Sequence, residues 1–198
     1  MALLEPREVR LSGGVRVLVR GATELDAPGV LEFLREVMGD SPHLLTQPFE
    51  LPDEAGERQW IAKHTGCPGS LAMLAEVEGV VVGLLSFSPG ARARTAHHGT
   101  LGITVRSAWR GRGLGRQMML GLLEWARAHP TLEKVCLGVF ATNTRAIALY
   151  ESLGFREEAR RRGEIKLGPG RYVDEVQMSL WVKAGPEGVP VHRPGEPR

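Results

Sequence analysis

Residues Trp109 to Gly115 read WRGRGLG, a run in which glycine alternates with arginine. A strand pattern, His98 to Val105, leads into it. A helical pattern leaves it: Leu114, Met118, Leu122 and Trp125 repeat at helical spacing until Pro130 closes the helix. A helix that starts this way presents unpaired backbone N–H groups and the positive end of its dipole. Glycines at 111, 113 and 115 let a ligand reach the main chain with no Cβ in the way, and Arg110, Arg112 and Arg116 add charge around the same spot. A diphosphate suits such a place. The same letters also describe a solvated, arginine-rich turn. Two phosphate motifs are excluded: the third glycine of the Rossmann fingerprint would fall at Arg116, and the Gly-Lys-Ser/Thr of a Walker A loop is absent.

The remaining pattern is mixed. VRVLVRGAT, from Val15, reads as a half-buried strand, and a helix starts near Asp26-Ala27-Pro28 and runs to Met38. Gly39 to Pro52 holds three prolines and reads as a loop, followed by a helix over Asp53 to His64. LAMLAEVEGVVVGLLSF reads as two strands joined at Glu78-Gly79. After the glycine run and its helix come a strand, Lys134 to Phe140, and a helix with Asn143 near its start and Gly154 past its end. A last antiparallel pair folds around Gly168-Pro169-Gly170. From Ala184 onward Pro and Gly dominate, which predicts a flexible tail over residues 184–198 behind one domain, 1–183. The order predicts an α/β fold built on one mixed sheet.

Composition removes several classes of function. A chain of 198 residues with 42% hydrophobic residues can bury a core without staples. A net charge of +2 gives no argument for nucleic acid or membrane as a partner. No apolar run approaches a membrane span, and MALLEPREVR is too charged for a signal-peptide core. Cys67 and Cys136 form no CxxC and pair with no His at metal-ligand spacing, so no metal is expected and a reduced cytoplasmic compartment is the simplest reading. Asn143 is the sole asparagine, which directs attention to it.

The neighbours of the glycine run decide between turn and cradle. GITVRSAWRGRGLGRQMMLGLLEWA resembles the acetyl-CoA signature of the GNAT superfamily of N-acetyltransferases: a strand, Arg/Gln-x-x-Gly-x-Gly/Ala, then an amphipathic helix, with Arg110, Gly113 and Gly115 at the fixed positions. LGVFATNTRAIALYESLGF is similar to the family's later strand, its Asn, and its A-x-x-L-Y-x-x-x-G-F helix. The resemblance runs in order from about Leu71 to Lys183. It is nearest to small bacterial members that read H-x-x-x-L-G-I-x-V before the loop, matched from His97 to Val105, and G-x-Y-V-D before the last strand, matched from Gly170 to Asp174. Those relatives acetylate primary amines of amino acids and similar small molecules.

The resemblance implies a single-domain GNAT fold, with a mostly antiparallel sheet of six or seven strands, splayed at the cofactor site and flanked by four helices. It implies acetyl-CoA as co-substrate. Backbone groups of Ile103, Thr104 and Val105 would bond to the pantetheine arm, and the segment Arg110, Gly111, Arg112, Gly113, Leu114, Gly115 and Arg116 would wrap the pyrophosphate. Asn143 would contact the arm, and Tyr150 would be the general acid that protonates the leaving thiolate. Asn143 and Tyr150 are seven residues apart, two helical turns, and so share a face. Asn143 also fits a helix N-cap, and Tyr150 also fits a core residue. The acceptor pocket would draw on Phe49, Glu50, Tyr172 and Asp174.

The base is open. Many relatives carry Glu or Asp where this chain has Thr100, and Thr is no base at neutral pH; a held water, His97 or His98 are the alternatives. Direct attack in a ternary complex is favoured over an acyl-Cys136 route, since no partner base for the thiol is visible. Arg160-Arg161-Arg162 stands among Glu157, Glu158 and Glu164 and reads as a solvated edge. The expected activity is acetyl transfer to a small primary amine. The rivals are acetylation of a protein N-terminus and a non-catalytic CoA-binding sensor; assembly as a homodimer is left open.

Overall fold

The computed structural model describes residues 4–185, so most of the expected tail lies outside the described residues. In chain order the elements are β1 (Arg7–Arg10), β2 (Arg16–Gly21), α1 (Ala27–Asp40), α2 (Glu54–Gly66), β3 (Leu71–Val77), β4 (Val80–Pro89), β5 (His98–Val105), α3 (Leu114–Ala128), β6 (Lys134–Phe140), α4 (Thr144–Ser152), β7 (Arg156–Gly168) and β8 (Arg171–Trp181). They group into two compact units. One holds the described residues up to Ser88 together with Leu101–His129. The other holds Pro89–Thr100 together with the described residues from Pro130 onward.

In the first unit the strands run in the order β1-β2-β3-β4-β5, antiparallel from β1 to β4. β3 and β4 are joined at Glu78 and Gly79, whose φ angles of 51° and 80° give the two left-handed positions of a tight hairpin. β3 is buried on both faces. Ala72 and Leu74 pack with Val30, Phe33 and Val37 of α1 and Ile61 of α2. Met73 and Ala75 look the other way, towards α3: a Cβ on Gly83 would lie 2.9 Å from Met118 Sδ, and Phe87 meets Trp125 edge-on at 5.7 Å. Arg20 ties β2 to the start of α1 and to β3, with 2.7 Å to Asp26 and 2.6 Å to Glu76. The Arg20 guanidinium holds the Asp26 carboxyl below its ordinary value.

In the second unit the order is β5-β6-β8-β7. The parallel ladder sets His98, Gly99 and Thr100 against Lys134, Val135 and Cys136, and β6 pairs antiparallel with β8 over its whole length. β7 is an edge strand with one buried residue, Ile165. Its charges pair with one another: Arg160 with Glu157, and Arg161 with Glu164 and with Glu175 of β8. That is the solvated edge expected for the arginine triplet.

The described residues hold eight strands, which corrects the expected six or seven. The extra strand is β1. Only Val9 of its four residues is buried, so it carries no apolar period. Tertiary contacts hold it instead. Arg7 Nη2 donates to the Gln117 carbonyl of α3 at 2.7 Å, and Gly121 makes room, since a Cβ there would lie 2.6 Å from that nitrogen. No helix among the described residues is long and apolar enough to cross a membrane.

Candidate functional site

The exit of β5 is anchored before the glycine run begins. Arg106 N–H donates to the Val82 carbonyl at 3.0 Å, and its guanidinium pairs with Glu36 of α1 at 2.5 Å, over the Phe33 ring. Ser107 Oγ bonds Asp40 at 3.0 Å. One 3-10 turn follows, Ser107–Trp109, and then the chain doubles back: Arg110 Nε donates to the Val105 carbonyl at 2.8 Å. Through its Nε alone, the Arg110 guanidinium thus helps to close the loop on its own strand. Arg112 lies over the Trp109 ring at 5.3 Å and stays exposed.

Gly111 and Gly113 take φ of 80° and 92°, a conformation that any side chain strains to reach. Gly113 caps α3 with no side-chain hydrogen bond, and Gln117 N–H closes the first turn of the helix on the Gly113 carbonyl at 3.1 Å. The N–H groups of Gly113, Leu114 and Gly115 therefore have no acceptor within the helix. A Cβ at Gly113 would meet nothing within 4 Å, so the approach to these donors is open. Uncapped amides, an open approach and exposed arginine fit a diphosphate.

A contact with no sequence signal supports this loop. The turn between β1 and β2 brings Ser12 to Arg112: the Ser12 N–H and Oγ both donate to the Arg112 carbonyl, at 3.3 and 2.9 Å. The partners lie 100 residues apart, so periodicity and motif reading both pass over them.

In the second unit, Asn143 caps α4: its Oδ1 accepts from Ala146 N–H at 3.2 Å. The cap uses the oxygen and leaves the amide Nδ2 as a donor. α4 runs without a break from Thr144 to Ser152, and Tyr150 on it is 7% exposed, its ring beside Phe155 at 6.0 Å. Burial pushes the phenol up to about 12, so it is protonated at any ordinary pH.

Thr100 is exposed and pairs with Cys136 in the ladder. Burial pushes the Cys136 thiol up, which opposes an acyl-cysteine route. His98 is pushed down by burial first, then by His97 and Lys134. His97 stands edge-on to His98 at 4.9 Å and stacks over Trp181 at 6.3 Å.

The four acceptor candidates divide between the units. Phe49, 85% exposed, sits in a 3-10 turn with Glu50, whose Oε2 accepts from Gln47 N–H at 2.7 Å. In the second unit Tyr172 is exposed, with Lys166 Nζ over its ring, and Asp174 Oδ1 accepts from Gly163 N–H at 2.9 Å. Both carboxylates are thus partly spent on backbone.

A family model described as the acetyltransferase (GNAT) family matches residues 32–155. An L-amino acid N-acetyltransferase of Escherichia coli is 28% identical over 148 residues, covering 75% of this chain and 90% of that protein. The N-alpha-acetyltransferase RimI of Mycobacterium tuberculosis is 30% identical over 147 residues, covering 74% and 82%. Among solved structures, a phosphinothricin acetyltransferase from Sinorhizobium meliloti in complex with acetyl-CoA superposes with a TM-score of 0.75 at 22% identity, covering 88% of this chain and 93% of that one.

Proposed function

The chain belongs to the acetyltransferase (GNAT) family and takes acetyl-CoA as its acyl donor, and from that premise we propose that it acetylates the primary amine of a small, amino-acid-like molecule by direct attack. Residues 1–183 act as one acetyltransferase domain on this reading, in the cytoplasm. The observation that carries catalysis over mere cofactor sensing is Tyr150, a buried and protonated phenol on the helix that Asn143 caps. A sensor has no use for a proton donor.

Acetyl-CoA supplies an activated acetyl carbonyl and a thiolate leaving group. The main chain of Ile103, Thr104 and Val105 holds its arm. The amides of Gly113, Leu114 and Gly115, with the charge of Arg112 and Arg116, hold its diphosphate; Gly111 provides the turn and Arg110 closes the loop. Asn143 serves twice, with Oδ1 on its own helix and Nδ2 toward the arm. Tyr150 gives its Oη proton to the departing sulfur. Phe49, Glu50, Tyr172 and Asp174 are proposed as acceptor contacts, Phe49 and Tyr172 through exposed ring surface.

A relative named as an L-amino acid N-acetyltransferase, matched over 90% of its length, supports the small acceptor. The relative named RimI supports a second reading, in which the acceptor is a protein N-terminus. A panel assay of free thiol release separates them. Free amino acids and small amines should be acetylated, and peptides with free N-termini should not. Transfer to peptides alone overturns the small-amine assignment, and no transfer to either class overturns both.

A further inference from the structure

His64, on α2, is 8% exposed, and both of its ring nitrogens are engaged. Nδ1 lies 2.8 Å from the Trp60 carbonyl, one turn back on the same helix. A carbonyl only accepts, so Nδ1 carries the proton. Nε2 is then the unprotonated nitrogen, and it lies 3.1 Å from Ser88 Oγ, whose hydroxyl donates to it. The Trp60 ring stands 4.0 Å from the imidazole, tilted by 35°, where a charged imidazolium gains from the aromatic face. No charged side chain is bonded to the ring among the described residues.

Ser88 is exposed where His64 is not. It stands near the end of β4, two residues past Ser86 and on the same face of the strand. The opposite face carries Leu85 and Phe87, both fully buried. Ser86 borders the cofactor strand: a Cβ built on Gly102 would lie 3.6 Å from its Oγ. Gly102 directly precedes Ile103, the first residue assigned to the arm of acetyl-CoA. A serine–imidazole pair of fixed tautomer thus opens on the face of the first unit's sheet that Gly102 shares.

We infer that Ser88 and His64 take the proton from the acceptor amine, the duty for which Thr100 carries no carboxylate. The inference rests on the acetyl-transfer reading above. Before attack, one proton of the acceptor ammonium passes to Ser88 Oγ while the serine's own proton passes to His64 Nε2, which hands it to water. The freed lone pair then bonds to the acetyl carbon, and the second N–H proton follows the same route. The carbon–sulfur bond breaks with its electron pair on sulfur, which takes the Tyr150 proton. The serine ends as it began. The imidazolium then returns its proton to water, and the tyrosinate regains one. Ser88 is the catalytic residue of the pair, and His64 acts through it.

The test compares wild type with Ser88→Ala and His64→Gln, on the amine that wild type acetylates best. Both variants should lose about 10²-fold or more in kcat, the usual span of general-base catalysis, with unchanged acetyl-CoA affinity. The wild-type kcat should level off above an acidic limb. In the variants it should climb with pH until the acceptor amine, at about pH 10, deprotonates unaided. Nitrogen-15 NMR of wild-type His64 should show the Nδ1–H tautomer. If His64→Gln fails to fold, Ser88→Ala decides, because it leaves the histidine packed. Wild-type kcat and pH profile in Ser88→Ala, or the opposite tautomer at His64, overturns the relay and leaves acetyl transfer standing. A wild type that transfers to no amine removes the acetyl-transfer reading and the relay with it.

Discussion

Replacing Tyr150 by Phe separates a proton donor from a packing residue, because the two roles move turnover and stability differently. The phenol is buried, and burial alone accounts for its rise to about 12; no side-chain hydrogen bond contributes. Tyr150→Phe keeps the ring beside Phe155, so the variant should match wild-type stability to within about 1 kcal/mol below pH 10. In a chain of this size that is about 2–4 °C in Tm. Turnover should fall about 10²- to 10⁴-fold, while acetyl-CoA affinity stays put.

The alkaline limb gives a second reading of the same side chain. The folded pKa, about 12, lies above the unfolded value near 10. Between these values the unfolded chain has released a proton that the folded chain keeps. Stability is therefore complete below about pH 10 and is lost as pH rises through about 12, by roughly 3 kcal/mol for a shift of about two pKa units. Tyr150→Phe should lack that component. Thermal melts from pH 8 to 12, set beside initial rates of thiol release, measure both effects. Turnover and stability falling together, or wild-type turnover in the variant, refutes the proton-donor assignment.

Asn143→Asp keeps a cap acceptor and loses the amide donor, so Tm should hold while the acetyl-CoA Kd rises; Asn143→Ala should also cost about 1 kcal/mol of stability. An unchanged Kd in the Asp variant makes the residue a cap and nothing more. Gly113→Ala meets no atom within 4 Å but must hold φ near 92°, so it should cost about 1–2 kcal/mol of stability from backbone strain alone. Calorimetry should find weaker acetyl-CoA binding in that variant, and unaltered affinity would remove the cradle.

Legibility in the letters followed the range of the interactions. β5, α3 and β6 begin and end where periodicity and Pro130 place them, because burial of one face or both writes itself into the local pattern. The Glu78-Gly79 turn was readable for the same reason: its backbone demand is local. β1 was not, since a short edge strand with one buried residue is held by Arg7 against α3 and has no period of its own. Glu50 and Asp174 were visible as carboxylates in loops, but not as groups engaged by backbone N–H, a matter of tertiary geometry. His64 and Ser88 left no trace: a histidine inside a weakly amphipathic helix looks like surface until the strand beside it is placed.

Ser12 reaches the Arg112 carbonyl from a turn that also contains Gly13 and Gly14, both in left-handed conformations with open space around them. Lengthening or shortening that tip should alter the pitch of the Arg112 carbonyl. On the proposed reading, that tip would set how long spent coenzyme lingers. On the same reading, a purification handle fused close to it should change product release before it lowers the melting point.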